Sequence, residues 1–286
     1  MFKGTAVAVI TPFKKDKSVD FNALTNIINN QIEQGIDYLV VLGSTAEAAT
    51  LSSVEKEQIQ KHFIKVNANR VPLVLGIGGN DTQQVIHEIN TTDLSDFDAI
   101  LSVSPSYNKP SQEGIYQHYK ALSKTAPIPI ILYNVPSRTG QNMQPDTVIR
   151  LANDFENIIG VKEAAGTMPQ ILELIRRKPK DFLVISGDDL LALSLCLAGG
   201  SGVISVIAQG YPSDFSKMIK LGIEGNSNDS FPVHYKHMNA IDLIFEEGNP
   251  TGIKALLSKQ GFCENELRLP LVKATESLMH KIDDLF

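Results

Sequence analysis

Tryptophan is absent from this 286-residue sequence, and cysteine occurs only twice, at Cys196 and Cys263. Two cysteines so far apart build neither a disulfide framework nor a zinc site, and their scarcity suits a reducing cytoplasm. No apolar run approaches the ~20 residues that a membrane span needs, so no membrane partner is expected. Positive charge is in deficit, with 26 Lys and Arg against 32 Asp and Glu. The net charge of −6 argues against a nucleic-acid partner, which would want a basic face. The opening Met1-Phe2-Lys3-Gly4 lacks signal-peptide architecture, so the mature chain is expected to begin there.

Several ligand and catalytic motifs are missing as well. Gly76-Ile77-Gly78-Gly79 follows a strand signal without completing the G-x-G-x-x-G dinucleotide fingerprint. Gly199-Gly200-Ser201-Gly202 reads better as a tight turn than as a phosphate nest. His234 and His237 have helical spacing but no third ligand near in sequence, so no metal site is expected. No serine-centred nucleophile elbow occurs.

What the sequence does hold is 43% hydrophobic residues against 20% charged, enough for a sizeable globular core. Its length exceeds that of most domains, but single α/β barrels run to ~250 residues and more. Short apolar strand signals fall at Thr5–Ile10, Tyr38–Leu42, Leu73–Ile77, Ala99–Val103 and Ile128–Tyr133. Three more follow at Ile158–Lys162, Phe182–Ser186 and Val203–Val206. Helical patterns alternate with them at Phe21–Gln34, Ser53–Asn67, Thr82–Thr92, Gln112–Lys124, Pro145–Asn153, Pro169–Arg177 and Leu190–Ala198. Such alternation calls for parallel βαβ units, and eight of them for a closed (β/α)8 TIM barrel rather than an open doubly wound sheet. From about Asp214 the signals are helical only, with one helix after Asn249-Pro250 and a last one over Leu271–Leu285. The expected division is a catalytic barrel over residues 1–224 and a helical extension over 225–286 packed on it.

In such a barrel the active site lies at the C-terminal ends of the strands. Five segments rich in polar residues, glycine or tyrosine fall there: 43–47, 104–110, 133–140, 162–166 and 187–189. Lys162 ends the apolar strand signal that opens the stretch I-I-G-V-K-E-A-A-G-T, residues 158–167. Burial makes an ammonium costly and lowers its pKa, and a neutral lysine amine can form a Schiff base with a carbonyl. The same lysine could also snorkel from a strand end, and the convergence of the other four segments is what favours chemistry. Tyr133 ends the adjacent strand and offers a phenol for proton transfer, or else a core tyrosine bonded to backbone. Ser44 and Thr45 sit in a turn that could hold a carboxylate or merely cap a helix. Arg138 could clamp a carboxylate bidentately or face solvent.

Together these segments resemble the dihydrodipicolinate synthase family of pyruvate-dependent class I aldolases, over nearly the whole length. The resemblance is carried by G-S-T-A-E at 43–47, S-P-S-Y-N-K-P-S-Q-E-G at 104–114 and Y-N-V-P-S-R-T-G at 133–140. G-V-K-E-A at 160–164, S-G-D-D at 186–189, G-V-I-S-V at 202–206 and E-L-R-L-P-L at 266–271 add to it. The wider superfamily, which includes N-acetylneuraminate lyase, shares the first motif type, the tyrosine and the lysine.

The resemblance implies that Lys162 condenses with pyruvate and that the enamine attacks L-aspartate 4-semialdehyde, with no cofactor beyond the covalent Schiff base. It implies a proton relay of Tyr133, Ser44 and Tyr107, the last reaching a neighbouring subunit's site in a homotetramer. It places the pyruvate carboxylate at Thr45 with backbone at Gly187 and Ile204, and the semialdehyde carboxylate at Arg138. Two departures stand out. Ser44 replaces the usual threonine, keeping the hydroxyl but losing the methyl that limits its rotamers, so retained activity with slower proton transfer is expected. The family's lysine-feedback positions keep Asn80 but hold Ser53, Lys56, Gln84 and Ser106. An added positive and a lost negative charge disfavour a cationic effector, so weak or absent lysine inhibition is expected. Two other readings stay open: an aldolase or lyase acting on a sugar acid, and a barrel that binds without catalysing.

Overall fold

Eight parallel strands close on themselves in sequence order. In a computed structural model describing residues 1–286, they are β1 Gly4–Ala8, β2 Tyr38–Val41, β3 Leu73–Gly76, β4 Ala99–Val103, β5 Ile130–Asn134, β6 Ile158–Glu163, β7 Leu183–Ser186 and β8 Gly202–Ser205. Between and after them run α1 Phe21–Glu33, α2 Ser53–Asn67, α3 Thr82–Thr91, α4 Gln112–Thr125, α5 Pro136–Thr139, α6 Pro145–Asp154, α7 Met168–Arg177, α8 Ala192–Leu197 and α9 Pro212–Ile223. Then come α10 Ser227–Glu246, α11 Thr251–Lys259 and α12 Glu276–Asp283. The expected TIM barrel with C-terminal helices is therefore present.

Helix starts follow local chemistry. Asp20 caps α1 through the Asn22 and Ala23 amides, and Ser52 with Glu55 forms a reciprocal capping box on α2. Two expectations need correction. The last helix begins at Glu276 rather than Leu271, because the Thr275 hydroxyl accepts from the Leu278 amide and fixes the start there. The segment after β5 is not all loop: Pro136–Thr139 makes one helical turn, with proline in its first turn where a missing N–H costs least. The Gly199–Gly202 segment is a turn whose glycines allow close approach, since a Cβ on Gly202 would stand 2.0 Å from the Gly4 carbonyl oxygen.

The strands alternate between two cores. Val7, Leu39, Leu75, Ile100, Leu132, Val161, Val184 and Val203 face the helices. Ala6, Ala8, Val40, Val74, Ala99, Leu101, Ile131, Tyr133, Ile185 and Ile204 fill the barrel interior. Ala8, one of three alanines among these, lies at the mouth and lines a cavity there.

One irregularity sets the direction of the lysine. Ile130 pairs with Ile158 but Ile131 pairs with Gly160, so Ile159 is an extra residue, a β-bulge in β6. Ile158 and Val161 both face the helical core while Ile159 packs on the interior one. Uninterrupted alternation from Ile158 would have sent Lys162 outward; the bulge reverses the phase and turns it inward.

Candidate active site

Tyr133 and Lys162 are register partners on β5 and β6, so their side chains share the inner face of the barrel mouth. The Lys162 Nζ lies 4.5 Å from the centre of the Tyr133 ring, and the residue is 5% exposed. Burial pulls its pKa down from 10.5 to about 8, with Arg138 adding to the shift and the carboxylate of Asp189 opposing it. At pH 7 an amine with that pKa is neutral about one time in ten, against about one in three thousand for an unperturbed lysine. The amine is thus poised rather than held uncharged. Burial pushes the Tyr133 phenol above its ordinary value, and Arg138 and the nearby Ser44 hydroxyl pull the other way.

Two cavities of about 470 and 720 Å³ share Thr45, Tyr133, Arg138, Lys162 and Asn249, and so form two lobes of one mouth. Ser44 and Thr45 belong to a 3-10 turn directly after β2. The Thr45 hydroxyl accepts a hydrogen bond of 3.0 Å from the Asn249 side chain, while Arg138 donates to the Asn249 carbonyl at 3.1 Å. Gly187 directly follows β7 and lies against the lysine: a Cβ there would stand 3.0 Å from Lys162 Cε.

Two expected residues line neither lobe with their side chains. Ile204 is fully buried in the barrel interior, paired with Ala6, and its side chain lines neither lobe. Tyr107 is 85% exposed, on a backbone with φ of +70°, and lies outside both lobes. Lys56 borders the smaller lobe beside Gly78 and Glu88.

Other residues at the site were not singled out from the sequence. Asp189 is 2% exposed; its Oδ2 accepts from the Val206 and Ile207 amides at 3.1 and 3.0 Å, and its Oδ1 is buried without a partner. Burial raises its pKa, and the nearby Ser205 hydroxyl, followed by those backbone bonds, opposes the rise. Asn249 comes from the chain beyond the barrel, and no local signal marks it. Glu163, next to the lysine but facing outward, accepts from the Asn134 and Gln170 side chains and from the Ala165 amide at 2.7 Å. That network fixes the end of β6 from behind. His237, by contrast, bonds Asp214 at 2.7 Å and packs on Tyr211, in an arrangement that serves α9–α10 packing.

The arrangement can perform amine chemistry on a small carbonyl acid. A partly neutral amine can attack a carbonyl, a phenol beside it can exchange protons, and an arginine with a hydroxyl-bearing turn can hold anionic groups.

Comparison with known proteins gives the same direction. Residues 1–286 match the dihydrodipicolinate synthetase family. The 4-hydroxy-tetrahydrodipicolinate synthase of Flavobacterium psychrophilum is 57% identical over 282 residues, covering 99% of this chain and 96% of that one. The synthase of Cytophaga hutchinsonii is 50% identical, with coverage of 99% and 95%. Among solved structures, the Thermotoga maritima dihydrodipicolinate synthase superposes with a TM-score of 0.97 at 36% identity, covering 100% of this chain and 97% of its own. A dihydrodipicolinate synthase described as a monomeric variant also reaches 0.97, at 36% identity and coverage of 99% and 95%.

Proposed function

The chain belongs to the dihydrodipicolinate synthetase family, and we propose that Lys162 is the amine through which it works. The activity is that of a 4-hydroxy-tetrahydrodipicolinate synthase, a lyase of the class I aldolase type. It condenses pyruvate with L-aspartate 4-semialdehyde in diaminopimelate and lysine biosynthesis, and uses a lysine Schiff base without an external cofactor.

In the proposed sequence the neutral Lys162 amine adds to the pyruvate C2 carbonyl and water leaves, giving a protonated imine. Tyr133, with Ser44 behind it, moves the protons of the carbinolamine and removes one from C3, giving the enamine. That carbon attacks the semialdehyde aldehyde, forming the new C–C bond and an alcohol. The amino group of the product chain then displaces the Lys162 amine at C2, closing the ring and freeing the enzyme. Thr45, with backbone at Gly187 and Ile204, holds the pyruvate carboxylate, and Arg138 the semialdehyde carboxylate. The single observation that carries this reading is the buried Lys162 amine lying 4.5 Å from the Tyr133 ring in a mouth shared with Thr45 and Arg138.

We assign residues 1–224 to the catalytic barrel and 225–286 to its helical extension, and we place the enzyme in the cytoplasm. Tyr107 completes the relay from a neighbouring subunit, in a homotetramer, which accounts for its standing outside its own mouth. Arg138 tests the site. Replacing it with alanine should raise KM for the semialdehyde about tenfold or more while moving KM for pyruvate little. Pyruvate with N-acetylmannosamine should support no comparable reaction in a coupled assay. An Arg138→Ala variant with an unchanged semialdehyde KM would remove the carboxylate clamp from the account.

A further inference from the structure

The Ser44–Thr45 turn is held from behind by the far end of the chain. Glu47 follows that turn and is the left-handed residue, with φ of +53°, that closes it; its amide donates to the Ser44 carbonyl at 3.3 Å. A non-glycine side chain seldom occupies this backbone region without something holding it. Here the hold is electrostatic and fully buried. Lys254 on α11 and Glu47 have side chains with no exposure, and the Lys254 Nζ donates to Glu47 Oε1 at 2.5 Å. The same ammonium donates to the Glu266 carbonyl at 2.9 Å and lies 4.1 Å from the centre of the Phe13 ring. The other Glu47 oxygen accepts from the Arg268 amide at 3.0 Å. The Arg268 side chain in turn donates to the Lys17 and Thr50 carbonyls and to Glu55. Both oxygens of one carboxylate thus tie the turn after β2 to residues more than two hundred positions further along.

A buried ion pair contributes little net stability compared with apolar residues of the same volume, but breaking one partner is costly and the geometry it imposes is specific. We infer that the Glu47–Lys254 pair is a positioning device, through which the C-terminal helices set the Ser44–Thr45 turn for the pyruvate carboxylate. The inference rests on the reading of that turn given above.

The test is steady-state kinetics with three variants of the full chain, each paired with a thermal melt. Glu47→Gln keeps the size but gives up one of the two hydrogen bonds; it should raise KM for pyruvate about tenfold and leave kcat within about threefold. The double variant Glu47→Gln with Lys254→Met leaves no unpaired buried charge, so its melting temperature should recover toward the parent. Its pyruvate KM should stay raised. A double variant that recovers both the melting temperature and the parental KM overturns the inference, because the pair then only holds the fold. If Glu47→Gln alone does not fold, the double variant decides by its KM in the same way. Thr45→Val tests the underlying reading and should itself raise pyruvate KM. An unchanged KM there removes the reading and the inference together, whereas a raised KM with parental values in both Glu47 variants removes the inference alone.

Discussion

At the scale of single residues, the reaction depends on how far burial lowers one ammonium and how far its neighbours resist. Lys162 sits in a mouth where desolvation lowers its pKa to about 8, with Asp189 as the opposing charge. Removing that charge should let the pKa fall further. Asp189→Asn keeps the shape and a hydrogen-bond acceptor for the Val206 and Ile207 amides. Because the neutral amine is the reactive form, kcat/KM for pyruvate in the parent should rise with pH through about 8. In the variant the midpoint of that rise should move to lower pH. A full pH profile of kcat/KM checks this, and an unshifted midpoint would show that Asp189 does not act on the amine. The lysine and its tyrosine were legible in the sequence because each ends an apolar strand beside turn formers. Asp189 was not, since Asp188 and Asp189 look alike until the Val206 and Ile207 amides just past β8 are seen to bind only the second. Asn249 was hidden because its partners, Thr45 and Arg138, lie more than a hundred residues away.

At the scale of elements, the ends of β6 and β7 must fit side by side. Strand positions were legible to within about two residues, because apolar runs bounded by glycine and proline are strong local signals. The inward direction of Lys162 was not legible from alternation, because the bulge at Ile159 depends on pairing with β5. The α12 start was misplaced because Leu271, Val272 and Ala274 extend the helical pattern upstream of its real cap at Thr275. Gly187 gives a test at this scale. A Cβ at this position would stand 2.7 Å from Ala164 Cβ and 3.0 Å from Lys162 Cε. Overpacking of this kind typically costs ~1–3 kcal/mol and moves side chains off their rotamers. Gly187→Ala is therefore expected to fold, with a modestly lower melting temperature, and to lose about a hundredfold or more in kcat/KM as the amine is displaced. Near-parental kcat/KM would mean that the β6 and β7 ends have slack that the structure does not show.

For the whole molecule, the barrel alone does not make the site. Asn249, Lys254 and Arg268 reach back to the turn after β2, and Tyr107 stands away from the mouth of its own chain. Eightfold alternation made the barrel legible in the sequence, whereas contacts between residue 47 and residue 254 have no local trace in it. If a second copy supplies Tyr107, activity per chain should fall on dilution in step with dissociation, measured by sedimentation in the assay buffer. Constant specific activity across a demonstrated shift to monomer would contradict that. All of these parts surround one amine, and trapping it is the most direct test. Borohydride reduction in the presence of pyruvate, followed by peptide mass mapping, should place one reduced pyruvate adduct on Lys162, with full loss of activity and no adduct without pyruvate. An adduct on another lysine, or activity that survives reduction with Lys162 unmodified, would contradict the account.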